Sequence, residues 1–361
     1  MTMTSVVRVA RRRPVWHPLP VDRVERLTAE AVTITFAVPP ELRAEFAFRP
    51  GQHLTVRYAP AVRRSYSICS TPRELDRTGL IRIGVKEVPG GAFSSQGVRG
   101  LRAGTTLEVL PPLGTFTTDL DPLRTRRYGA IVAGSGITPV LSLVATALAT
   151  EPHSTFTLLY GNRAAASVMF ADELGALKDR YPSRLQILHV LSREPGLSPA
   201  LSGRLDRDRL ALLLDTAVPA GVDEWFLCGP AALVETAEEL LRSRGAPAVH
   251  TELFYAGPVP VPTPPVGNAD DVALTVRLDG RESRTTMPRD GRVLDAALAV
   301  RAELPYACKG GVCATCRARV VTGEVAMARN YALEPDDVAA GYVLTCQSVP
   351  LTPDVTVDYD A

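Results

Sequence analysis

The sequence predicts a multidomain chain: an antiparallel β-barrel, then an α/β domain on a parallel sheet, then a small α+β module. Three observations predict it. Short strand-like runs broken by turns fill Val21 to about Pro122, which is how an antiparallel barrel reads. From Arg127 onward strand-like runs alternate with helical ones, the pattern of a parallel α/β sheet. Between Ala256 and Asp270, Pro258, Pro260, Pro262, Pro264 and Pro265 form an extended linker that sets off residues 271–361. A chain of 361 residues has room for two or three domains of about 100–200 residues, each with its own core.

Taken in order, residues 1–18 read as a disordered tail. Arg8, Arg11, Arg12 and Arg13 lie there without the apolar region of a secretory signal. In the barrel, 19–122, strands are expected at Ala31–Val38, Gly51–Tyr58, Arg64–Ile68, Leu80–Val88 and Thr105–Val109. The α/β domain, 123–255, has expected strands at Tyr128–Ala133, Thr155–Tyr160, Leu185–Leu191 and Glu224–Cys228. Its helices are expected at Pro139–Ala149, Phe170–Arg180, Asp206–Leu214 and Ala231–Arg244. Ligands of such sheets bind beyond the carboxyl ends of the strands, where the turns Gly134-Ser135-Gly136 and Cys228-Gly229-Pro230 fall. After the linker, 256–270, strands Val272–Leu278 and Glu282–Met287 flank Asp279-Gly280, a hairpin signal. Val293–Arg301 puts Leu294, Ala297 and Leu298 on one helical face, and strands follow at Arg317–Val321 and Tyr342–Cys346.

Forty basic and 39 acidic residues leave a formal charge of +1, so nothing in the bulk charge attracts nucleic acid or an anionic membrane. The stretch 128–150 carries no charge, but Gly134, Ser135, Gly136 and Pro139 break it. It therefore reads as strand, turn and helix of a soluble domain and not as a membrane span. Of six cysteines, Cys69 and Cys228 stand far apart, which fits reduced thiols and a cytoplasmic protein.

The other four, Cys308, Cys313, Cys316 and Cys346, stand as C-x4-C-x2-C with a distant fourth, the spacing of plant-type 2Fe-2S ferredoxins. Three thiolates from one tight loop and a fourth from elsewhere can surround a compact two-iron cluster. Gly310 and Gly311 are expected to bend that loop through positive φ and to bring backbone N–H groups to the sulfurs. A structural zinc site, usually two C-x2-4-C pairs, and a disulfide framework are the alternatives.

Arg64-Ser65-Tyr66-Ser67 resembles the R-x-Y-S flavin signature of the ferredoxin-NADP reductase superfamily, a resemblance that runs from about Val21 to Phe254. Alternation puts Arg64 and Tyr66 on one face, suited to a pyrophosphate and an isoalloxazine ring. The resemblance implies FAD, with Ser67 bonded to the flavin near N5. Gly91-Ala92-Phe93-Ser94 matches the G-x-x-S pyrophosphate turn, assigning Gly91 and Ser94 to the cofactor. Gly134-Ser135-Gly136-Ile137-Thr138-Pro139 looks like the nicotinamide-nucleotide turn, assigning Gly134, Gly136 and Thr138. Cys228, Gly229 and Pro230 resemble the element at the hydride-transfer site. Ser192-Arg193-Glu194, with Arg163 nearby, resembles the segment that meets the 2'-phosphate, which implies NADPH, with NADH possible. Phe254 sits where the superfamily often shields the flavin with an aromatic, although a plain core phenylalanine fits as well. The C-terminal module is then a β-grasp ferredoxin domain.

Nicotinamide delivers two electrons as a hydride and a 2Fe-2S centre passes one, so the flavin must mediate between NADPH and the cluster. Phe48-Arg49-Pro50-Gly51-Gln52-His53-Leu54, Leu304-Pro305-Tyr306-Ala307 and Leu333-Glu334-Pro335-Asp336 resemble the reductase subunits of bacterial ring-epoxidising oxygenases. That resemblance implies a separate di-iron oxygenase as acceptor, in aerobic phenylacetate breakdown. The alternatives are a reductase for a Rieske dioxygenase or another hydroxylase, and a non-catalytic metal-binding module, against which the flavin and nucleotide motifs argue. Lys309, Arg317 and Arg319 flank the cluster loop and are candidates to meet an acidic partner.

Overall fold

The computed structural model describes residues 15–59, 62–195, 198–254 and 271–361. The expected linker, 256–270, and most of the expected tail lie outside the described residues. The first unit contains β1 (His17–Thr28), β2 (Ala31–Ala37), β3 (His53–Ala59), β4 (Val62–Ser67), helix α1 (Pro72–Thr78), β5 (Leu80–Lys86), the short α2 (Val98–Gly100) and β6 (Thr106–Leu113). Its antiparallel sheet has the order β4-β3-β6-β1-β2-β5. Ile68, just past β4, pairs with Ile83 of β5, and Cys69 N donates to Arg82 O at 2.8 Å, which closes the sheet into the expected barrel. Leu19, Ile34, Phe36, Leu54 and Ile81 fill its interior. Sequence reading missed β1, because Pro18 and Pro20 argue against a strand and two register shifts interrupt its pairing with β2.

The second unit alternates β7 (Arg127–Ala133), α3 (Ile137–Thr150), β8 (Thr155–Asn162), α4 (Ala171–Arg180), β9 (Leu185–Leu191), α5 (Arg207–Thr216), β10 (Glu224–Gly229), α6 (Ala231–Ser243) and β11 (Val249–Leu253). The parallel sheet has the order β11-β10-β7-β8-β9. The missing charge over 128–150 now has a cause: α3 is buried between this sheet and the barrel. Its Ser142 Oγ donates to Ser70 O of the barrel segment at 2.7 Å, and Leu143 approaches Gly51. Arg82 on β5 forks onto Glu173 of α4 at 2.7 and 2.6 Å. One apolar helix and one bidentate ion pair, a geometry that Arg favours over Lys, are among the contacts that join the two units.

The third unit comprises β12 (Val272–Leu278), β13 (Arg281–Met287), α7 (Val293–Val300), β14 (Arg317–Thr322), β15 (Val325–Met327), α8 (Pro335–Ala339), β16 (Tyr342–Leu344), β17 (Ser348–Pro350) and β18 (Asp354–Asp358). The main sheet runs β13-β12-β18-β14-β16, with β15 and β17 paired separately. Asp279 and Gly280, at φ 53° and 68°, form the expected hairpin turn. The expected strand Tyr342–Cys346 stops at Leu344, and Cys346 sits in the turn before β17. Among the described residues no helix is long and apolar enough to cross a membrane.

Candidate functional site

β4 carries Arg64 on an exposed position, its Nη1 donating to Arg63 O at 2.8 Å. The ring of Tyr66 lies 5.3 Å from Phe93, which brings Gly91-Ala92-Phe93-Ser94 beside Arg64–Ser67. Ser94 Oγ accepts from Val88 N at 3.1 Å, and a Cβ at Gly91 would overlap that oxygen. A side chain at Gly91 would therefore have to displace the Ser94 hydroxyl from this bond.

Ser67 points the other way and is buried. Its hydroxyl donates to Glu252 Oε2 at 3.2 Å, and Glu252 on β11 pairs in register with Cys228 on β10. The nearby carboxyl adds to burial in pushing the Cys228 thiol well up. His53, opposite Ser67 across β3 and β4, holds Nδ1 4.0 Å from Glu252 Oε1. Burial raises Glu252 to about 8 and lowers His53 to about 4. At neutral pH the group Ser67, Cys228, Glu252 and His53 is thus buried, polar and uncharged. His53 Nε2 has no hydrogen-bond partner among the described residues, a polar atom that suits the edge of a flavin ring. Sequence reading missed Glu252 and His53 because a lone carboxylate and a lone imidazole carry no spacing. The available signal was Thr251-Glu252-Leu253-Phe254, read only for its aromatic.

The linkage sign for Glu252 is definite. Its folded pKa is raised, so the folded chain holds the extra proton and stability falls as pH rises from about 4.5 to about 8. His53 acts oppositely, losing stability as pH falls from about 6.5 to about 4. Of these two groups only Glu252 still contributes a slope between pH 6.5 and 8, at most about 1.4 kcal/mol per pH unit. Glu252→Gln is expected to flatten that slope in thermal unfolding, and an identical slope in both proteins would contradict the assignment.

At the carboxyl edge of the parallel sheet, Gly134 has φ 54° and its carbonyl accepts from Tyr160 Oη at 3.1 Å. Thr138 is buried and donates to Ser135 O at 2.9 Å, so it shapes the turn from within. A Cβ on Gly136 would overlap the Cys228 carbonyl oxygen, and Gly229 lies against Ala133. The two glycine turns therefore touch. Pro230 precedes α6 directly. Arg163 and Arg193 stand side by side beyond β8 and β9, Arg193 N donating to Arg163 O at 2.8 Å and Ser192 N to Asn162 O at 2.9 Å. Arg163 is 59% exposed and 3.9 Å from Glu30. Asn162, at the end of β8, is buried beside Tyr160. Phe254, just beyond β11, is 40% exposed, which excludes the core reading.

The four cysteines form two thiol pairs, Cys308 with Cys313 and Cys316 with Cys346, and the pairs are close enough to interact, Cys316 with Cys313 and Cys346 with Cys308. One pair per iron fits a two-iron cluster. Among the described residues no three metal-binding side chains converge as a single ion requires. Gly310 N donates to Cys308 Sγ at 3.3 Å and Gln347 Nε2 to Cys346 Sγ at 3.4 Å. The loop bends differently from the expectation: Gly311 has φ 80°, but the other positive values belong to Lys309 at 50° and Ala314 at 52°. Gly310 instead presents its amide. Non-glycine residues bear that conformation at a cost of about 1 kcal/mol or more, here beside the sulfurs. Lys309 pairs with Asp295 at 2.7 Å, and Arg317 with Asp337 at 3.0 Å, so two of the three candidate docking cations are already engaged.

Residues 18–118 match an oxidoreductase FAD-binding domain, 130–239 an oxidoreductase NAD-binding domain and 276–351 a 2Fe-2S iron-sulfur cluster binding domain. The chain is 48% identical to one of the subunits of the 1,2-phenylacetyl-CoA epoxidase of Escherichia coli (strain K12), over 96% of this chain and 98% of that one. It is 37% identical to the ferredoxin reductase component of 3-ketosteroid-9-alpha-monooxygenase of Rhodococcus rhodochrous, over 94% of this chain and 96% of that one. The solved phthalate dioxygenase reductase shares the fold, with a TM-score of 0.59 at 24% identity over 95% of this chain and 98% of that one.

Proposed function

The chain belongs to the FAD-, nicotinamide- and 2Fe-2S-binding reductases that serve oxygenases, the family that includes its relative from 1,2-phenylacetyl-CoA epoxidase, and from that premise we propose that it supplies electrons to a di-iron oxygenase acting on phenylacetyl-CoA. The observation that carries the chemistry is the meeting of Ser67, Cys228 and Glu252 where the barrel joins the carboxyl edge of the parallel sheet. When bound, the nicotinamide supplies a hydride, FAD divides its electron pair, and the cluster passes single electrons onward.

The chain's own residues bind, orient and move protons. Arg64, Tyr66, Gly91 and Ser94 would hold the FAD pyrophosphate and ring, and exposed Phe254 would be free to shield it. Gly134, Gly136, Thr138, Gly229 and Pro230 form the nucleotide turns and set Cys228 beside Ser67. A bound 2Fe-2S cluster would take electrons without protons, so the chain has to offer a proton path on the flavin side. Ser67 Oγ and Glu252 Oε2 offer that path, and a carboxyl with a pKa of about 8 can both take and release a proton near neutrality. Cys308, Cys313, Cys316 and Cys346 hold the cluster. Cys69 and Cys228, buried and free of any disulfide, support a reducing cytoplasm as its compartment.

Anaerobic addition of NADPH to the purified protein tests the route: flavin absorbance bleaches first and cluster absorbance follows. Bleaching of neither would overturn it. Arg163 and Arg193 give the preference for NADPH. Replacing both with alanine is expected to raise KM for NADPH about ten-fold or more, the loss of charged hydrogen bonds worth about 1.5–3 kcal/mol, with NADH unaffected. Equal loss with both nucleotides would contradict that role.

A further inference from the structure

One cation joins the barrel to the cysteine module without being used by any motif. Arg63 stands on β4 beside the flavin signature, yet it is 4% exposed and makes no ion pair with a carboxylate among the described residues. Its Nη1 donates to Leu304 O at 2.8 Å, and its guanidinium lies 4.1 Å from the centre of the Tyr306 ring. Trp16 stands behind it at 5.6 Å and also carries Arg57 at 4.6 Å. Burial draws the Arg63 pKa down, as expected of a desolvated cation, and the ring faces and a carbonyl hold it in place. Lys309 Nζ, from the cysteine loop itself, approaches the same Tyr306 ring at 5.1 Å, so the ring lies between a cation of its own loop and one of the barrel.

The position of Arg63 gives the grip its meaning. It lies four residues before Ser67, about 13 Å of strand, and Tyr306 lies two residues before Cys308. The barrel strand that ends at the flavin motif thus begins by holding the segment that leads into the cluster. Beside the contact opens a cleft of about 460 Å³ lined by Arg57, Tyr58, Ala59, Arg63, Glu108 and Ala302. A second point of contact, Val312 of the loop, packs against the core of the nucleotide domain.

We infer that Arg63 is a positioning residue that latches the ferredoxin domain to the barrel through Leu304 and Tyr306 and so sets the separation of flavin and cluster. The inference rests on the electron route proposed above. Arg63 itself exchanges no atom or electron.

The test uses the full holoprotein as wild type, Arg63→Ala and Arg63→Lys. Hydrogen exchange of residues 302–308 is expected to accelerate in Arg63→Ala and small-angle scattering to report a larger particle. In stopped flow, NADPH bleaches the flavin at the wild-type rate while cluster bleaching slows about ten-fold or more, because domains without the latch move relative to one another and flavin and cluster spend less time at their native separation. Arg63→Lys keeps the charge and loses the planar fork, and partial recovery of cluster bleaching supports the latch. Cluster bleaching at the wild-type rate in Arg63→Ala, or flavin and cluster steps falling together with lost FAD, would overturn it. Wild-type protein whose flavin NADPH does not bleach would overturn the route itself.

Discussion

Cys346→Ser is expected to leave a protein whose flavin still bleaches with NADPH but from which no electrons proceed. Cys346 comes from outside the loop 308–316, on the turn between β16 and β17, and shares its thiol contact with Cys316. A serine oxygen is a hard donor where Fe–S chemistry selects soft thiolate. Loss of an outer hydrogen bond alone costs about 10–100-fold in metal affinity or activity, so loss of a ligand is expected to lower cluster-dependent reduction of one-electron acceptors on the order of 100-fold or more. Stability falls too, because Cys316 and Cys346 pack with Leu294, Leu333 and Leu344 in the module's second core and metal binding contributes to folding. Ser67, Glu252 and Cys228 lie in the other two domains and stay intact. Iron content, the cluster absorbance band and acceptor turnover measure the outcome. A full iron complement with unchanged turnover would contradict the ligand assignment.

Gly136→Ala is expected to stop the reaction one step earlier. The added methyl would overlap the carbonyl oxygen and carbon of Cys228, both backbone atoms, so the turn after β7 and the end of β10 must separate. Overpacking of this kind costs about 1–3 kcal/mol in stability. The larger effect is on position. Cys228 moves away from Ser67 and Glu252, and kcat/KM for flavin bleaching by NADPH is expected to fall on the order of 100-fold, whereas dithionite, which needs no nucleotide site, still reduces flavin and cluster. Gly175→Ala on α4, where an added methyl meets nothing within 4 Å, is the control and is expected to be neutral or slightly stabilising. Normal bleaching by NADPH in Gly136→Ala would contradict the closeness of the two turns.

What was legible in the chain followed strength of local pattern. The run Tyr128–Ala133 into Gly134-Ser135-Gly136 announced a buried parallel strand and a phosphate-type turn, since apolar continuity followed by glycine has few other uses. Asp279-Gly280 announced its hairpin for the same local reason. Elements that depend on distant partners were invisible. β1 holds two prolines and exists because β2 and β6 accept it on both sides. β18, which pairs parallel with β12 and antiparallel with β14, belongs to a topology that no local window contains. The site divided the same way. R-x-Y-S, G-x-x-S and the four cysteines have spacing, whereas Glu252 matters only because β11 places it against Ser67 across 185 residues, and Arg63 only because another domain lies over it. The loop glycines illustrate the limit within a motif: the bend was readable, but Lys309 and Ala314 share the left-handed positions with Gly311 because Gly310 N turns to a sulfur.

The most direct measurement is reconstitution of the holoprotein with the phenylacetyl-CoA di-iron oxygenase, NADPH and oxygen, following epoxide formation against NADPH oxidised. Epoxide formed in step with NADPH, and lost in Cys346→Ser, is the expected result. Rapid reduction of an artificial acceptor with no epoxide formed would contradict the assignment of that oxygenase as partner.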